Sequence, residues 1–266
     1  EERFSKYFAH FYLMPMVSAI WSSGTELVAD YPRDPLLRFL DNHGLLQISG
    51  QPSWRTVVGG SHSYIAPLTR PLDDRVHLGK GVERIHRSSD EIELVLDDGS
   101  RHGFDHVVIA AHADQALRIL AEPTKDEAEL LGKWSYSLNE TWLHTNTKLM
   151  PRRRAAWASW NYLMSNASQE NASLTYHLNR LQGLDEKCEY LVSLNPETEP
   201  VPESVIRQMS YRHPIYTRQS VETQRELSRI NGRNRTHFCG AYFGNGFHED
   251  GLASAVAVAD DLGVVF

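Results

Sequence analysis

The residues best placed to do chemistry lie near the C-terminus, between Thr236 and Ala259. A short apolar run, His237 to Ala241, reads as a buried strand. It breaks at a turn containing Gly244 and Gly246, and His248-Glu249-Asp250-Gly251 then leads into a helix with Leu252, Ala255, Val256, Ala259 and Leu262 at helical spacing. A helix start presents unpaired backbone N–H groups and a partial positive charge, and glycines let a ligand lie against the main chain. The stretch therefore suits an anion or a dipole. Small residues at Ala253, Ser254, Ala255 and Ala257 let the helix pack close to a sheet, so a large planar ligand could lie across its start. An ordinary strand-to-helix connection would use the same glycines at tight turns.

Other chemistry is hard to find. His86, His102, His106 and His112 fall at strand or turn positions without metal-ligand spacing, and read as satisfied polar groups. No Gly-x-Ser-x-Gly elbow occurs, and Gly60-Ser61 lacks the second flank that an acyl-transfer nucleophile needs. No acid/base pair stands out, so the catalytic residues are unassigned.

The wording of the C-terminal stretch, Phe238-Cys-Gly-Ala-Tyr-Phe-Gly-Asn-Gly-Phe-His-Glu-Asp-Gly-Leu-Ala-Ser-Ala255, closely resembles the flavin motif of the FAD-dependent amine oxidoreductases. That superfamily includes amine oxidases, protoporphyrinogen oxidase and phytoene desaturases, and the bacterial NAD/FAD-binding branch looks nearest. The resemblance implies FAD as cofactor, with Gly240 and Ala241 by its pyrophosphate and ribityl chain. It places His248, Glu249, Asp250, Gly251 and Leu252 by the isoalloxazine, and Phe247 on the ring's substrate side. The lack of an acid/base pair agrees with a flavin carrying the redox chemistry.

Three further stretches carry the resemblance. Trp54-Arg-Thr-Val-Val-Gly-Gly-Ser-His-Ser-Tyr64 looks like the family's second signature, read as a strand, a Gly-Gly-Ser turn and a helix through Ile65 and Leu68. Gly81-Val-Glu-Arg-Ile85 looks like its adenine-side strand, with the backbone of Val82 at the adenine. Val107-Val-Ile-Ala-Ala-His-Ala-Asp-Gln-Ala-Leu117 looks like a second dinucleotide-associated strand, which implies cofactor contact at Ala110 and Ala111; relatives commonly carry Thr where Ala111 stands.

The elements that must position these residues follow from periodicity. Phe4 to Ile20 is expected to be a helix that Pro15 kinks or divides. Asp34 should cap a second helix, with Pro35 in its first turn, Leu36, Leu37, Phe39 and Leu40 inward, and Gly44 as its left-handed end. Val82 to His86 and Ile92 to Leu96, with a turn at Asp97-Asp98-Gly99, read as an antiparallel meander leading to a buried strand from Asp105 to Ala111. Helices are expected at Ala113 to Leu120, from Pro123 through Leu131, and at Val221 to Ile230. Strands are expected at Trp142 to Asn146, Ala155 to Trp160, Ser173 to Asn179, Tyr190 to Leu194 and Val205 to His213, forming a mainly antiparallel sheet. Alternation would then put Trp157 and Ser159 on one face, and Ala158 and Trp160 on the other. Trp157, Trp160 and Tyr162 are the candidates for a substrate pocket.

The 266 residues, 41% hydrophobic, suffice for one or two domains with a sizeable core. A net charge of −7 and the lack of a basic stripe exclude a nucleic-acid binder. The one basic run, Arg152-Arg153-Arg154, reads as a solvated loop. Two cysteines, Cys188 and Cys239, argue against a disulfide framework and suit a reduced compartment. The sequons at Asn139, Asn166, Asn171 and Asn234 are uninformative. With no spanning apolar stretch and no signal peptide in view, the expectation is a soluble cytoplasmic protein; peripheral membrane contact stays open. Oligomeric state is unknown.

The chain starts at Glu1-Glu2-Arg3 without Met, and no GxGxxG turn occurs in it. The expectation is a fragment, inactive as given. Its fold class is expected to be α/β: a partial Rossmann-like FAD layer and a substrate domain with a mainly antiparallel sheet and helices. By segment, 1–53 would be substrate-side helices, 54–120 the first part of the FAD layer, 121–234 the substrate domain, and 235–266 the C-terminal part of the FAD layer. Three functions remain open. The first is hydride transfer from a C–N or C–C bond of a small or lipid-like substrate to flavin; the second is desaturation or isomerisation of an acyl or isoprenoid chain. The third is a non-catalytic remnant acting as an interaction protein.

Overall fold

A computed structural model describes residues 5–22, 30–47, 49–50, 52–53, 55–163, 174–185 and 187–264. In chain order its helices are α1 (Lys6–Phe8), α2 (Met14–Trp21), α3 (Arg33–Asn42), α4 (Ile65–Thr69), α5 (Ala113–Ile119), α6 (Lys125–Leu131), α7 (Leu178–Gln182), α8 (Arg218–Gln224) and α9 (His248–Asp261). The strands are β1 (Val82–Arg87), β2 (Ile92–Leu96), β3 (Arg101–Phe104), β4 (Val107–Ile109), β5 (Ser135–His144), β6 (Trp160–Tyr162), β7 (Leu174–His177), β8 (Leu191–Leu194), β9 (Val205–Ile215) and β10 (Thr236–Phe238). This is an α/β fold. The chain divides into two compact units: unit 1 is residues 1–31, 40–73 and 137–213, and unit 2 is residues 32–39, 74–136 and 214–266.

Unit 1 is built on a five-stranded sheet of order β6-β7-β8-β5-β9. The registered pairs β6–β7, β7–β8 and β5–β8 are all antiparallel. Leu174, Leu191 and Leu194 fill its core, and a polar chain is buried beside them. His144 Nε2 lies 2.9 Å from the Ser193 hydroxyl, which lies 2.7 Å from that of Thr175. The Asn146 amide donates to His144 Nδ1 at 3.0 Å, so that nitrogen is the acceptor and Nε2 carries the proton. Burial pushes His144 down to about 4, and it stays neutral. Among the opening helices, Pro15 neither breaks nor sharply divides the segment. A π-turn, Ala9–Leu13, joins α1 to α2, and the Met14 amide returns to the Ala9 carbonyl. The wider turn relieves the clash a proline ring makes with the carbonyl four residues back. Phe4 lies outside the described residues.

Unit 2 contains a three-stranded antiparallel meander, β1-β2-β3, and a separate two-stranded parallel pair, β4 and β10. The Ala121 amide donates to the Ile85 carbonyl at 3.0 Å, tying the end of α5 to the meander. Thr124 and Glu127 form a capping box at the start of α6. The same Glu127 carboxylate takes Arg87 Nη1 at 2.6 Å and Nη2 at 2.9 Å, with both side chains buried. Burial pushes Glu127 up, but the bonds from Arg87 and Thr124 outweigh it and hold the carboxyl below its ordinary value.

Several expected elements differ. Residues 55–58 form no strand, because no strand among the described residues pairs with them; Val58 is almost fully exposed. The run at 105–111 shortens to β4, and β3 supplies the third meander strand, so the buried run pairs with β10 instead. Val108 is exposed on β4, whereas Ile109 is buried. Residues 155–159 are a 3-10 turn and loop, and the alternation expected for Trp157 to Trp160 does not exist. Helix α3 starts at Arg33, so Asp34 sits inside its first turn and accepts from the Arg33 guanidinium; Leu37 faces solvent. Gly44, at φ 66°, ends α3 as expected.

Candidate functional site

Strands β4 and β10 run parallel, pairing Thr236 with Val107, His237 with Val108 and Phe238 with Ile109. Both therefore deliver their next residues to the same edge, where ligands of open α/β sheets bind. The Cys239 amide extends the ladder to the Ile109 carbonyl at 3.2 Å. Beyond it the Ala111 carbonyl comes within 3.5 Å of where a Cβ on Gly240 would stand. Gly240 has φ 154°, and that Cβ would also lie 2.8 Å from the Tyr242 ring. Ala111, Gly240 and Ala241 are thus brought together, with Ala110 on the exposed side of the β4 end.

Helix α9 starts a few residues later. Its first three amides, at His248, Glu249 and Asp250, have no partner within the helix. The Asp250 carboxylate accepts from the Phe247 amide at 2.9 Å, capping the start from inside. With Glu249 it makes the first turn acidic, which favours a neutral dipolar group there over a phosphate. Gly251, one turn in, is the informative glycine. A Cβ there would meet only the Ala241 nitrogen, at 3.7 Å, an ordinary contact, and its φ is not in the glycine-favouring range. Neither backbone nor neighbours among the described residues require glycine there. These residues fit a planar ring lying against Gly240, Ala241 and the start of α9.

The helix presents a different face from the one its apolar spacing suggests. Ser254 and Val258 are buried, whereas Leu252 is 59% exposed and Ala255 and Leu262 are exposed. Small side chains at Gly251, Ser254 and Val258 let α9 approach its own turn closely, and Leu252 points to solvent.

The turn is clamped by residues no local pattern reveals. Gln224 Nε2 donates to the Tyr242 carbonyl at 3.0 Å, and the Tyr216 hydroxyl donates to the Gly244 carbonyl at 3.2 Å. The Tyr136 hydroxyl accepts from the Ala113 amide at 2.9 Å, capping α5, and stacks on His112 at 4.4 Å. Gln224, Tyr216 and Tyr136 come from segments distant in sequence; only Ser254, three residues after Gly251 on the packed face, carried a usable signal. Burial raises the Tyr242 hydroxyl and the Cys239 thiol above their ordinary values, and burial followed by the neighbouring His106 lowers His237. All three stay uncharged near neutrality.

The remaining candidates lie elsewhere. Val82 starts β1, half-buried, at a hollow it shares with Glu83, Arg84 and Arg118. Phe247 stacks on Phe39, ring centroids 5.2 Å apart. In unit 1, Trp160 and Tyr162 line an apolar hollow of about 420 Å³ with Phe11, Tyr12, Met16 and Leu174. Trp157 is not in it: its Nε1 donates to the Pro151 carbonyl at 2.8 Å, Arg154 lies over its ring, and its edge meets His177. Arg154 also pairs with Glu189, and Arg152, Arg153 and Arg154 are all exposed, as a solvated loop requires. Among the described residues no group of His, Cys, Asp and Glu could hold a metal, and no helix is long and apolar enough to cross a membrane.

The parallel strand pair, the glycine turn and α9 form a partial Rossmann-like strand–turn–helix arrangement. Similar solved structures include a conjugated-linoleic-acid-producing fatty acid isomerase from P. acnes, with a TM-score of 0.64, 13% identity, and coverage of 93% of this chain and 63% of that one. Another is a protoporphyrinogen oxidase so described from Exiguobacterium sp. 255-15, with a TM-score of 0.61, 14% identity, and coverage of 94% and 62%. A putrescine oxidase gives a TM-score of 0.55 at 13% identity, covering 77% of this chain and 53% of that one. The chain thus spans less than two thirds of their lengths. No curated protein sequence matches it. The model of the flavin containing amine oxidoreductases matches residues 5–182, more than half of the chain, and the chain belongs to that family. FAD is the family's cofactor and oxidoreduction its chemistry. The match ends before the C-terminal stretch.

Proposed function

We propose that this chain serves an FAD-dependent oxidoreductase that takes a hydride equivalent from a C–N or C–C bond of a small or lipid-like substrate. FAD, when bound, supplies the two-electron acceptor. The observation that carries the reading is Gly251 itself: at the start of α9 a Cβ there would meet only the Ala241 nitrogen, at 3.7 Å, so a ligand can approach both the turn's backbone and the helix start. In this reading the amides of His248, Glu249 and Asp250 orient the ring's polar edge, and Leu252 lies beside it. Gly240 and Ala241 flank the chain leading to the pyrophosphate, backed by Ala110 and Ala111, and Val82 contacts the adenine. Phe247 faces the ring from the substrate side. The domain reading goes with it: 54–120 and 235–266 supply the FAD layer, 1–53 and 121–234 the substrate side.

The apolar hollow in unit 1 favours the second reading, desaturation or isomerisation of an acyl or isoprenoid chain. Among the described residues, its lining, including Trp160 and Tyr162, carries no acidic group to recruit a cationic amine. Trp157 would act there only indirectly, through its loop.

The test is a visible spectrum of the protein incubated with excess FAD and then desalted. A retained flavin spectrum is expected. Gly251→Leu should weaken FAD binding at least about a hundredfold without loss of fold, since its Cβ meets no clash. Unchanged retention in that variant sinks the placement. No retention by the unaltered protein would mean that the residues placed here do not suffice to hold FAD without a GxGxxG turn. Net anaerobic bleaching of the bound flavin by fatty acids (desaturation), or conversion of unsaturated fatty acids to isomers without net bleaching (isomerisation), with neither seen for primary amines, would decide for the second reading.

A further inference from the structure

We propose that Ser254 is a positioning residue for the flavin, an inference that rests on the reading of the α9 start just given. Ser254 is 8% exposed, on the packed face of α9. Its Oγ accepts from the Gly240 amide at 2.9 Å, donates to the Gly251 carbonyl at 2.7 Å and lies 3.3 Å from the Gly240 carbonyl. A hydroxyl has one proton and two lone pairs, so a single group serves both main-chain partners. The bond to Gly251 is the familiar return of a helical serine to the preceding turn. The bond from Gly240 is not. Gly240 stands past the end of the β4–β10 ladder, with a backbone conformation no sheet continues, and its amide is satisfied by a side chain fourteen residues on.

The hydroxyl thus ties the end of β10 to the first turn of α9. Those two backbones, Gly240–Ala241 and Gly251, face each other, and the Ala241 nitrogen stands 3.7 Å from where a Gly251 Cβ would be. Their separation is held by the Ser254 hydroxyl, which bonds to both. Without the tie, the half-buried Gly240 amide loses its partner, and the glycine turn relaxes until it finds another acceptor.

The experiment is an FAD titration of the folded protein by flavin fluorescence. It is run on the unaltered chain, Ser254→Ala, Ser254→Thr and Val258→Ala, alongside thermal melts. Val258 is buried one turn further along the same face, so its truncation destabilises the helix while leaving the tie intact. The FAD Kd of Ser254→Ala should rise about tenfold, the effect of losing a bond to a half-buried main-chain donor. Ser254→Thr should stay within about threefold of the unaltered protein, and Val258→Ala should melt earlier with its Kd likewise within about threefold. Equal FAD affinity in Ser254→Ala and the unaltered chain overturns the proposal, as does an equal loss in Val258→Ala. If Ser254→Ala does not fold, Ser254→Cys, a weak acceptor of similar volume, takes its place with the same expectation. Failure of the unaltered chain to bind FAD overturns the reading of the site and this proposal with it; normal binding with an indifferent Ser254 overturns the proposal alone.

Discussion

Two glycine turns in this chain look alike in sequence and are held in opposite ways. At Gly240–Gly246 the glycines are demanded by neighbours: a Cβ on Gly244 would lie 2.1 Å from the Asp250 carboxylate, and one on Gly246 2.7 Å from the Tyr216 hydroxyl. At Gly59–Gly60 both residues have φ 80°, yet a Cβ on Gly60 would meet nothing within 4 Å. That turn closes on itself, with the Ser63 amide and hydroxyl both donating to the Gly60 carbonyl at 3.0 and 2.7 Å. One glycine pattern thus serves close packing against distant side chains, and the other only a backbone conformation. Motif spelling does not separate the two; the neighbours do.

The comparison can be broken by substitution. Gly246→Ala combines left-handed strain at φ 95° with the clash at Tyr216 and should cost about 3 kcal/mol in urea denaturation. Gly244→Ala should cost about 2 kcal/mol, because the Asp250 carboxylate must swing away and give up its bond to the Phe247 amide. Gly60→Ala should cost only about 1 kcal/mol, conformational strain alone. A cost at Gly60 equal to that at Gly246 would reveal a neighbour pressed against the exposed turn and abolish the distinction.

Acid sharpens the comparison within unit 1, where the loosely held turn shares its unit with a tightly locked histidine. His144 is held neutral, at about 4 against an ordinary 6.5, so its contribution is complete above pH 6.5 and is lost as pH falls toward 4. A loss on the order of 1 kcal/mol or more is expected over that interval, and His144→Gln should flatten it. An unchanged pH profile in that variant would assign the acid sensitivity to other groups.

The limits of legibility follow the range of the forces involved. Strand β2, the meander turn and helix α5 were readable because apolar alternation and turn chemistry act over a few residues. Trp157 was misread as a strand residue for the converse reason: its indole is claimed by the Pro151 carbonyl, Arg154 and His177, contacts that no spacing announces. On α9 the heptad-like apolar residues suggested Leu252 inward, but close approach of the helix to its own glycine turn selects the smallest face, Gly251, Ser254 and Val258.

Taken alone, the order of residues determined the family, the α/β class, the antiparallel character of the larger sheet, and a glycine turn opening into a helix. The family came from the resemblance of its motifs; the rest are properties of local periodicity and backbone freedom. Only the tertiary structure decided that β4 pairs with β10, which brings Ala111 beside Gly240. It alone decided that the Ser254 hydroxyl accepts from the Gly240 amide and donates to the Gly251 carbonyl. Each of these depends on which distant main-chain groups remain unpaired after local structure has formed, and burial requires that they find partners.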